Sequence, residues 1–197
     1  SLLFSFFGGL LGLFSGVFWI KFKEKTRLIK KQAQILKKDL YKLIKNGESG
    51  WLEFKSSMRF DYHQKKVNRE LELVIAKTIV GFMNSHGGKL IIGVDDNGNI
   101  IGLESDYNTL KNKNKDSYER KIYRNISNFI DQQSCFKNHV SFYQFGDKEI
   151  CLIDVEYSSN PVYFNDGETT IFYVRTGNAT YPLSVKEAIK YLDSRKN

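Results

Sequence analysis

Between Asn84 and Asp96 the chain reads Asn-Ser-His-Gly-Gly-Lys-Leu-Ile-Ile-Gly-Val-Asp-Asp. The run from Leu90 to Val94 carries no polar side chain, so it predicts a strand covered on both faces. Ahead of it, Leu71, Val74, Ile75, Thr78, Ile79 and Phe82 recur at helical spacing, and the pattern stops at a polar turn containing Gly87-Gly88. Helix, tight turn and buried strand therefore follow one another, with Asp95 and Asp96 at the strand's exit. Just upstream, Glu48 and Glu53 bracket a further strand, Trp51 to Ser56, in which Leu52 and Phe54 point one way and Glu53 and Lys55 the other.

The net charge of +8 over 197 residues points to nucleic acid only until it is mapped. Residues 21–45 hold ten Lys/Arg against Glu24 and Asp39, residues 1–20 hold no charge, and 46–197 hold 20 basic and 20 acidic residues. The basicity thus belongs to one short segment, and the remainder is neutral. Cys135 and Cys151 have no metal-ligand spacing and form no dense framework, which fits a reducing compartment.

Residues 1–20 read as a transmembrane helix: Leu2 to Ile20 is uncharged, Trp19 suits the interface, and Lys21, Lys23, Lys25 and Arg27 follow at once. The positive flank predicts a single-pass protein with its C-terminal side in the cytoplasm. A cleaved signal peptide wants a basic lead and small residues at a cleavage site, and neither is visible. Gly8, Gly12 and Gly16 stack on one helix face, a spacing that lets two helices approach closely in lipid. Residues 21–47 read as a basic connector helix stopped by Asn46-Gly47. Ile29, Ala33, Leu36, Leu40 and Leu43 form a heptad seam over 29–43, which predicts either an oligomerising stalk or an amphipathic helix on anionic lipid. The glycine face and the seam together favour a homo-oligomer.

Residues 48–197 read as one α+β domain, a mixed sheet with flanking helices, because hairpins alternate with helices rather than with parallel crossovers. After the strand at 51–56, residues 57–68 show no period and read as a mobile loop. A helix over 69–83, a strand over 89–95 turning at Asn97-Gly98 into 99–103, and a helix over 117–132 follow. Strands are expected at 140–145, 149–157, 161–164 and 171–175, and a final helix is capped by Ser184.

Glu48-Ser-Gly-Trp-Leu-Glu53-Phe54-Lys55, Asn84-Ser-His-Gly87-Gly88, Gly93-Val94-Asp95-Asp96, Ile101-Gly102 and Phe172-Tyr173-Val174-Arg175-Thr-Gly177-Asn178 together resemble the Schlafen AlbA-like domain, in order and over nearly all of 48–195. Members of that family are described as nucleic-acid-binding, as ATP-binding, or as metal-dependent endoribonucleases acting on tRNA and rRNA. The resemblance implies a three-carboxylate site, which falls here on Glu48, Glu53 and Asp96, with Asp95 as a rival for the third place. It also implies Mg²⁺ or Mn²⁺ between those carboxylates, an RNA substrate, and service in defence or translational control. Clustered carboxylates repel without a hard cation, and Lys55 on the face of Glu53 would then hold a phosphate. Each residue also has a plain structural reading. Asp95 and Asp96 precede a turn, Glu53 and Lys55 suit the solvent face of an edge strand, and His86 suits a turn as well as a base. Arg175 can grip a nucleic-acid phosphate or pair with an acid inside the sheet. The zinc pattern of some Schlafen proteins is missing from this sequence.

Three functions follow as expectations. The first is a membrane-anchored, metal-dependent endonuclease, RNA being favoured over DNA. The second is a nucleic-acid or nucleotide-binding module that transmits oligomerisation to the span. The third is an effector that disrupts the bilayer.

Overall fold

The computed structural model describes residues 2–195, with side chains from residue 18 onward. The chain divides into two compact units, Ser1–Asn46 and Gly47–Asn197.

The first unit is a single continuous α-helix, α1 (Leu2–Asn46). At 1.5 Å per residue it runs for roughly 67 Å, and it has no break at the expected border near residue 20 because no glycine or proline stands there. Phe18, Trp19, Ile20 and Phe22 are exposed, with Trp19 edge-on to Phe22 at 5.9 Å between centroids. Of the heptad seam, Ile29, Ala33 and Leu36 are exposed as well. Among the described residues no helix is long and apolar enough to cross a membrane. Most of the expected span, including Gly8, Gly12 and Gly16, lies outside the described side chains.

The second unit is α+β. Its main sheet runs in the order β1 (Leu52–Lys55), β4 (Gly88–Ile92), β6 (Lys148–Val155), β5 (Asn138–Phe145). The pair β1–β4 is parallel and the other two are antiparallel, so the sheet is mixed. A second, antiparallel sheet holds β7 (Phe164–Asn165), β8 (Thr170–Thr176) and β9 (Ala179–Leu183). Helix α2 (Arg69–Asn84) packs against both sheets, and α4 (Lys115–Phe129) packs on α2. Ile75, Ile79 and Phe82 of α2 meet Leu90 and Ile92 of β4, Ile153 of β6, and Tyr118, Ile122 and Ile126 of α4 in one core. Ile91, on the other face of β4, is fully buried too, which is why the strand is apolar throughout. Ser184 closes the start of α5 (Val185–Ser194) with a capping box to Glu187.

The segment 57–68 is not a loose loop. It forms a hairpin, β2 (Phe60–Asp61) with β3 (Lys66–Val67), pinned from below by Asp106. Asp106 sits on the one-turn helix α3 (Glu104–Asn108), too short to leave a periodic signal, and its carboxylate is buried. It accepts hydrogen bonds from Ser57 Oγ at 2.5 Å, from the N–H groups of Met58 at 2.8 Å and Phe60 at 3.0 Å, and from Tyr118 OH at 2.9 Å. The expected strands 89–95 and 99–103 also shrink. β4 ends at Ile92, and a lone bridge joins Val94 to Ile100. Of residues 161–164 only Phe164 lies in a strand, as the first residue of β7, and β9 is a further strand outside the expected set.

Asp106→Ala leaves several buried donors without an acceptor. It is expected to cost about 3–5 kcal/mol in urea unfolding, against about 1 kcal/mol or less for an exposed change. A near-neutral effect would show that β2–β3 is held some other way.

Candidate functional site

The parallel pairing of β1 with β4 sets Glu53 opposite Leu90, on an edge strand that a single sheet would leave wet. Yet Glu53 is only 8% exposed. Its cover is Arg175 of β8, whose side chain is 2% exposed and whose Nη2 lies 2.8 Å from Glu53 Oε2. The same Nη2 donates to the carbonyl of Ser49 at 2.9 Å, and the guanidinium lies 5.0 Å from the centre of the Phe82 ring. Lys55 Nζ reaches the other oxygen, Oε1, and the carbonyl of Phe54. Glu53 Oε2 and Arg175 Nε make no well-formed hydrogen bond, so the pair is ionic and oblique rather than a two-point fork. Of the two readings open for Arg175, the geometry gives the internal acid partner.

Glu48 turns back onto β1. Ser49 and Leu52 close a tight bridge, and Glu48 Oε1 accepts the N–H of Phe54 at 2.8 Å. The Glu48 carboxylate is thereby tied to the backbone of β1, one residue beyond Glu53.

The Asn84-Ser-His-Gly-Gly stretch is mostly a clamp. Asn84, fully buried, donates to the carbonyls of Val162 at 2.7 Å and Tyr173 at 2.8 Å and accepts Val162 N–H at 2.9 Å. Ser85 Oγ accepts the N–H of Arg175 at 2.8 Å. The end of α2 is thereby fastened along β8, next to the residue that covers Glu53. Gly87 has φ +74°, and a Cβ there would stand 2.6 Å from the carbonyl of Val155. At Gly88 a Cβ would meet the Phe82 ring at 2.4 Å. Packing and backbone conformation account for both glycines. His86 is exposed beside Tyr157, Tyr191 and Arg195, away from the carboxylates' hydrogen bonds.

Asp95 is a turn residue. Its carboxylate accepts Asn99 Nδ2 at 3.0 Å and the N–H groups of Asn97 at 3.0 Å and Asn99 at 2.7 Å; led by the Asn99 side chain, these hold it below the usual carboxylate range. Asp96 is exposed. With Lys55 it lines a concavity of about 380 Å³ whose wall is the β2–β3 hairpin: Phe60, Tyr62 and His63. Phe60 and Tyr62 pack edge to face at 5.2 Å, and burial raises the Tyr62 hydroxyl pKa. The hairpin tip is set by Asp61, which accepts the N–H groups of His63 and Gln64 at 2.9 Å each. Tyr62 and His63 escaped sequence reasoning because the stretch has no period; the Asp61 turn was the available clue.

A divalent ion needs carboxylate oxygens that are unengaged and convergent. Glu48 Oε1 is held by a backbone N–H, both Glu53 oxygens face cations, and Asp96 opens onto the concavity. No group of three or more His, Cys, Asp or Glu side chains that could hold a metal ion occurs among the described residues. In this arrangement the set does not fit Mg²⁺ or Mn²⁺.

The fold and site define an α+β domain in which two sheets are joined across a buried Glu–Arg pair, with a concavity at its border lined by Lys55, Asp96 and aromatic rings. The family model of the Schlafen, AlbA_2 domain matches residues 48–184, and the chain belongs to that family. The chain is also similar to the crystal structure of the DIP2311 protein from Corynebacterium diphtheriae, with a TM-score of 0.52 and 20% identity. That match covers 73% of this chain and 24% of the other, so the chain spans about a quarter of that protein, and the likeness is one of fold. Among proteins with curated descriptions, none matches.

Arg175→Met strands a buried carboxylate and is expected to cost about 3–5 kcal/mol, whereas Glu53→Gln with Arg175→Met together cost less than the sum of the two. Additive losses in a denaturant double-mutant cycle would show that the two side chains do not depend on each other.

Proposed function

We propose that residues 47–197 form a nucleic-acid-binding module, with the concavity at Lys55 as its contact surface. The observation that carries this is the meeting of Lys55 and Asp96, from two separate strand ends, with the rings of Tyr62 and His63. An ammonium takes a phosphate, a ring face takes an unstacked base, and a carboxylate at the rim accepts from an exocyclic amine or a 2′-hydroxyl. Membership of the AlbA_2 family supports a nucleic-acid-related function. The flipped or single-stranded base such a wall suits, and the 2′-hydroxyl acceptor, favour RNA over DNA.

In fluorescence anisotropy with short single-stranded RNA, Tyr62→Ala weakens binding by about 1–3 kcal/mol, the value of one stacked base. Lys55→Gln weakens it for all sequences and lowers the salt slope by about one phosphate contact. Unchanged affinity in both variants, with the fold intact, would contradict the assignment.

Metal-dependent RNA cleavage, with Glu48, Glu53 and Asp96 as ligands, is the competing reading. The fold-back of Glu48 onto β1 beside Glu53 favours it. It requires Glu53 to exchange Lys55 and Arg175 for a cation. Cleavage of a mixed tRNA pool by detergent-purified protein with Mn²⁺, abolished by Glu53→Gln, would establish it; intact RNA with bound protein leaves the binding module.

For the first unit we propose membrane anchoring through residues 2–20 and self-association through the glycine face and the 29–43 seam. The exposed Phe18, Trp19, Ile20 and Phe22 ahead of the basic run support this. The full chain is expected to stay in the membrane fraction after carbonate washing and to cross-link as an oligomer that Leu36→Lys weakens. Release by carbonate would rule out the anchor.

A further inference from the structure

Val67 of the β2–β3 hairpin and the start of α2 border a second concavity, of about 590 Å³, that shares no lining residue with the one at Lys55. Arg59, Arg69 and Lys121 converge on it from three elements. Its carboxylates and the Asn165 amide oxygen are already engaged. Glu72, buried, faces Arg59 Nε at 3.2 Å and Lys121 Nζ at 2.7 Å. The Asp166 carboxylate accepts the N–H groups of Thr169 at 2.7 Å and Glu168 at 3.0 Å, together with the Thr169 hydroxyl, and the Thr169 N–H first among these holds it below the usual carboxylate range. Asn165 Oδ1 accepts Gly167 N–H at 2.8 Å.

The donors are in surplus. Arg59 touches Glu72 only through Nε, and even that contact is not a well-formed hydrogen bond. Arg69 rests its guanidinium 5.7 Å from the centre of the Phe129 ring. Asn125 is 4% exposed, and its amide has no better acceptor than the sulfur of Met58 at 3.8 Å. Counting Arg59, Arg69 and Lys121 against Glu72 and Asp166 leaves the cavity positive. A cavity with spare donors, engaged carboxylates and two guanidinium groups selects an anion with many acceptor oxygens. Its volume exceeds what a bare phosphate occupies and falls in the range of small-molecule sites.

We infer that this cavity is a second binding site, for a phosphoryl group carried either by a free nucleotide or by a nucleic-acid backbone. Arg59, Arg69 and Lys121 meet the phosphoryl oxygens, and Asn125 donates from the wall. Glu72 keeps Arg59 and Lys121 in place when the site is empty and is a positioning residue. The site is independent of the contact surface at Lys55.

The test is calorimetric titration of the full chain in detergent with pyrophosphate, AMP, adenosine and a short single-stranded RNA. Arg69→Glu and Asn128→Asp are the variants, since both positions are exposed and neither removes a partner of Glu72; thermal unfolding followed by circular dichroism checks each fold. Saturable binding of AMP and pyrophosphate but not adenosine, weakened about tenfold or more by Arg69→Glu and untouched by Tyr62→Ala, supports the site with a free nucleotide as its source. RNA binding that Arg69→Glu weakens, with no response to AMP, supports it with a backbone phosphate instead. No binding of any probe, or equal binding by wild type and both folded variants, overturns it. Because Tyr62→Ala reads the other concavity, failure of one site leaves the other standing.

Discussion

A buried carboxylate on an edge strand must be neutralised, and in this domain that necessity joins two sheets. Glu53 belongs to β1 of the main sheet and Arg175 to β8 of the second sheet. Isolated, either charge would be prohibitive in so dry a place; together they are tolerable, though an apolar pair of equal volume would do as well for stability alone. What the pair adds is position. It draws β8 against the start of β1, where the Ser49 carbonyl takes the same guanidinium and the chain between Ser49 and Leu52 is forced into a bridge. Gly50 fits there because a Cβ would already approach the Gly177 carbonyl to 3.3 Å. The fold-back of Glu48 follows from that bridge.

The residues that look most like an active site are therefore the ones that hold the architecture together. Asn84 and Ser85 fasten α2 along β8, Gly87 and Gly88 let the chain pass the Val155 carbonyl and the Phe82 ring, and Asp95 organises a turn. The two concavities open to a ligand lie instead around the β2–β3 hairpin. Lys55, Tyr62 and His63 face one concavity, and Arg59 with Arg69 and Lys121 face another. Asp106 fixes the hairpin's base through the hydroxyls of Ser57 and Tyr118 and the N–H groups of Met58 and Phe60, so both surfaces rest on a rigid support rather than on a loose loop.

Long, strongly patterned pieces could be read directly from the residues. The helical stripe from Leu71 to Phe82 and the apolar run after Gly88 appear as α2 and β4, because burial on defined faces leaves a period in the sequence. The α+β arrangement and the AlbA_2 family followed from the same stretches. What stayed hidden depends on long-range pairing. Nothing local to Glu53 announces that Arg175, 122 positions later, will cover it. The one-turn helix bearing Asp106 is shorter than any period, and β2–β3 is two residues per strand, held by a carboxylate from far along the chain. The Glu53 and Lys55 alternation was readable, but whether that face is wet or dry is decided by β8.

Glu53 is held as the partner of Arg175 and Lys55, an engagement that a divalent ion would have to displace. The most direct measurement is titration of isotope-labelled full-length protein with Mn²⁺, following paramagnetic broadening of the backbone amides. The account predicts that the amides of Glu53, Phe54 and Lys55 stay sharp at cation levels that broaden only scattered exposed acidic residues. Selective, saturable loss of those amide signals together with those of Glu48 and Asp96, reversed by excess Mg²⁺, would contradict it and place a metal where the arginine now sits.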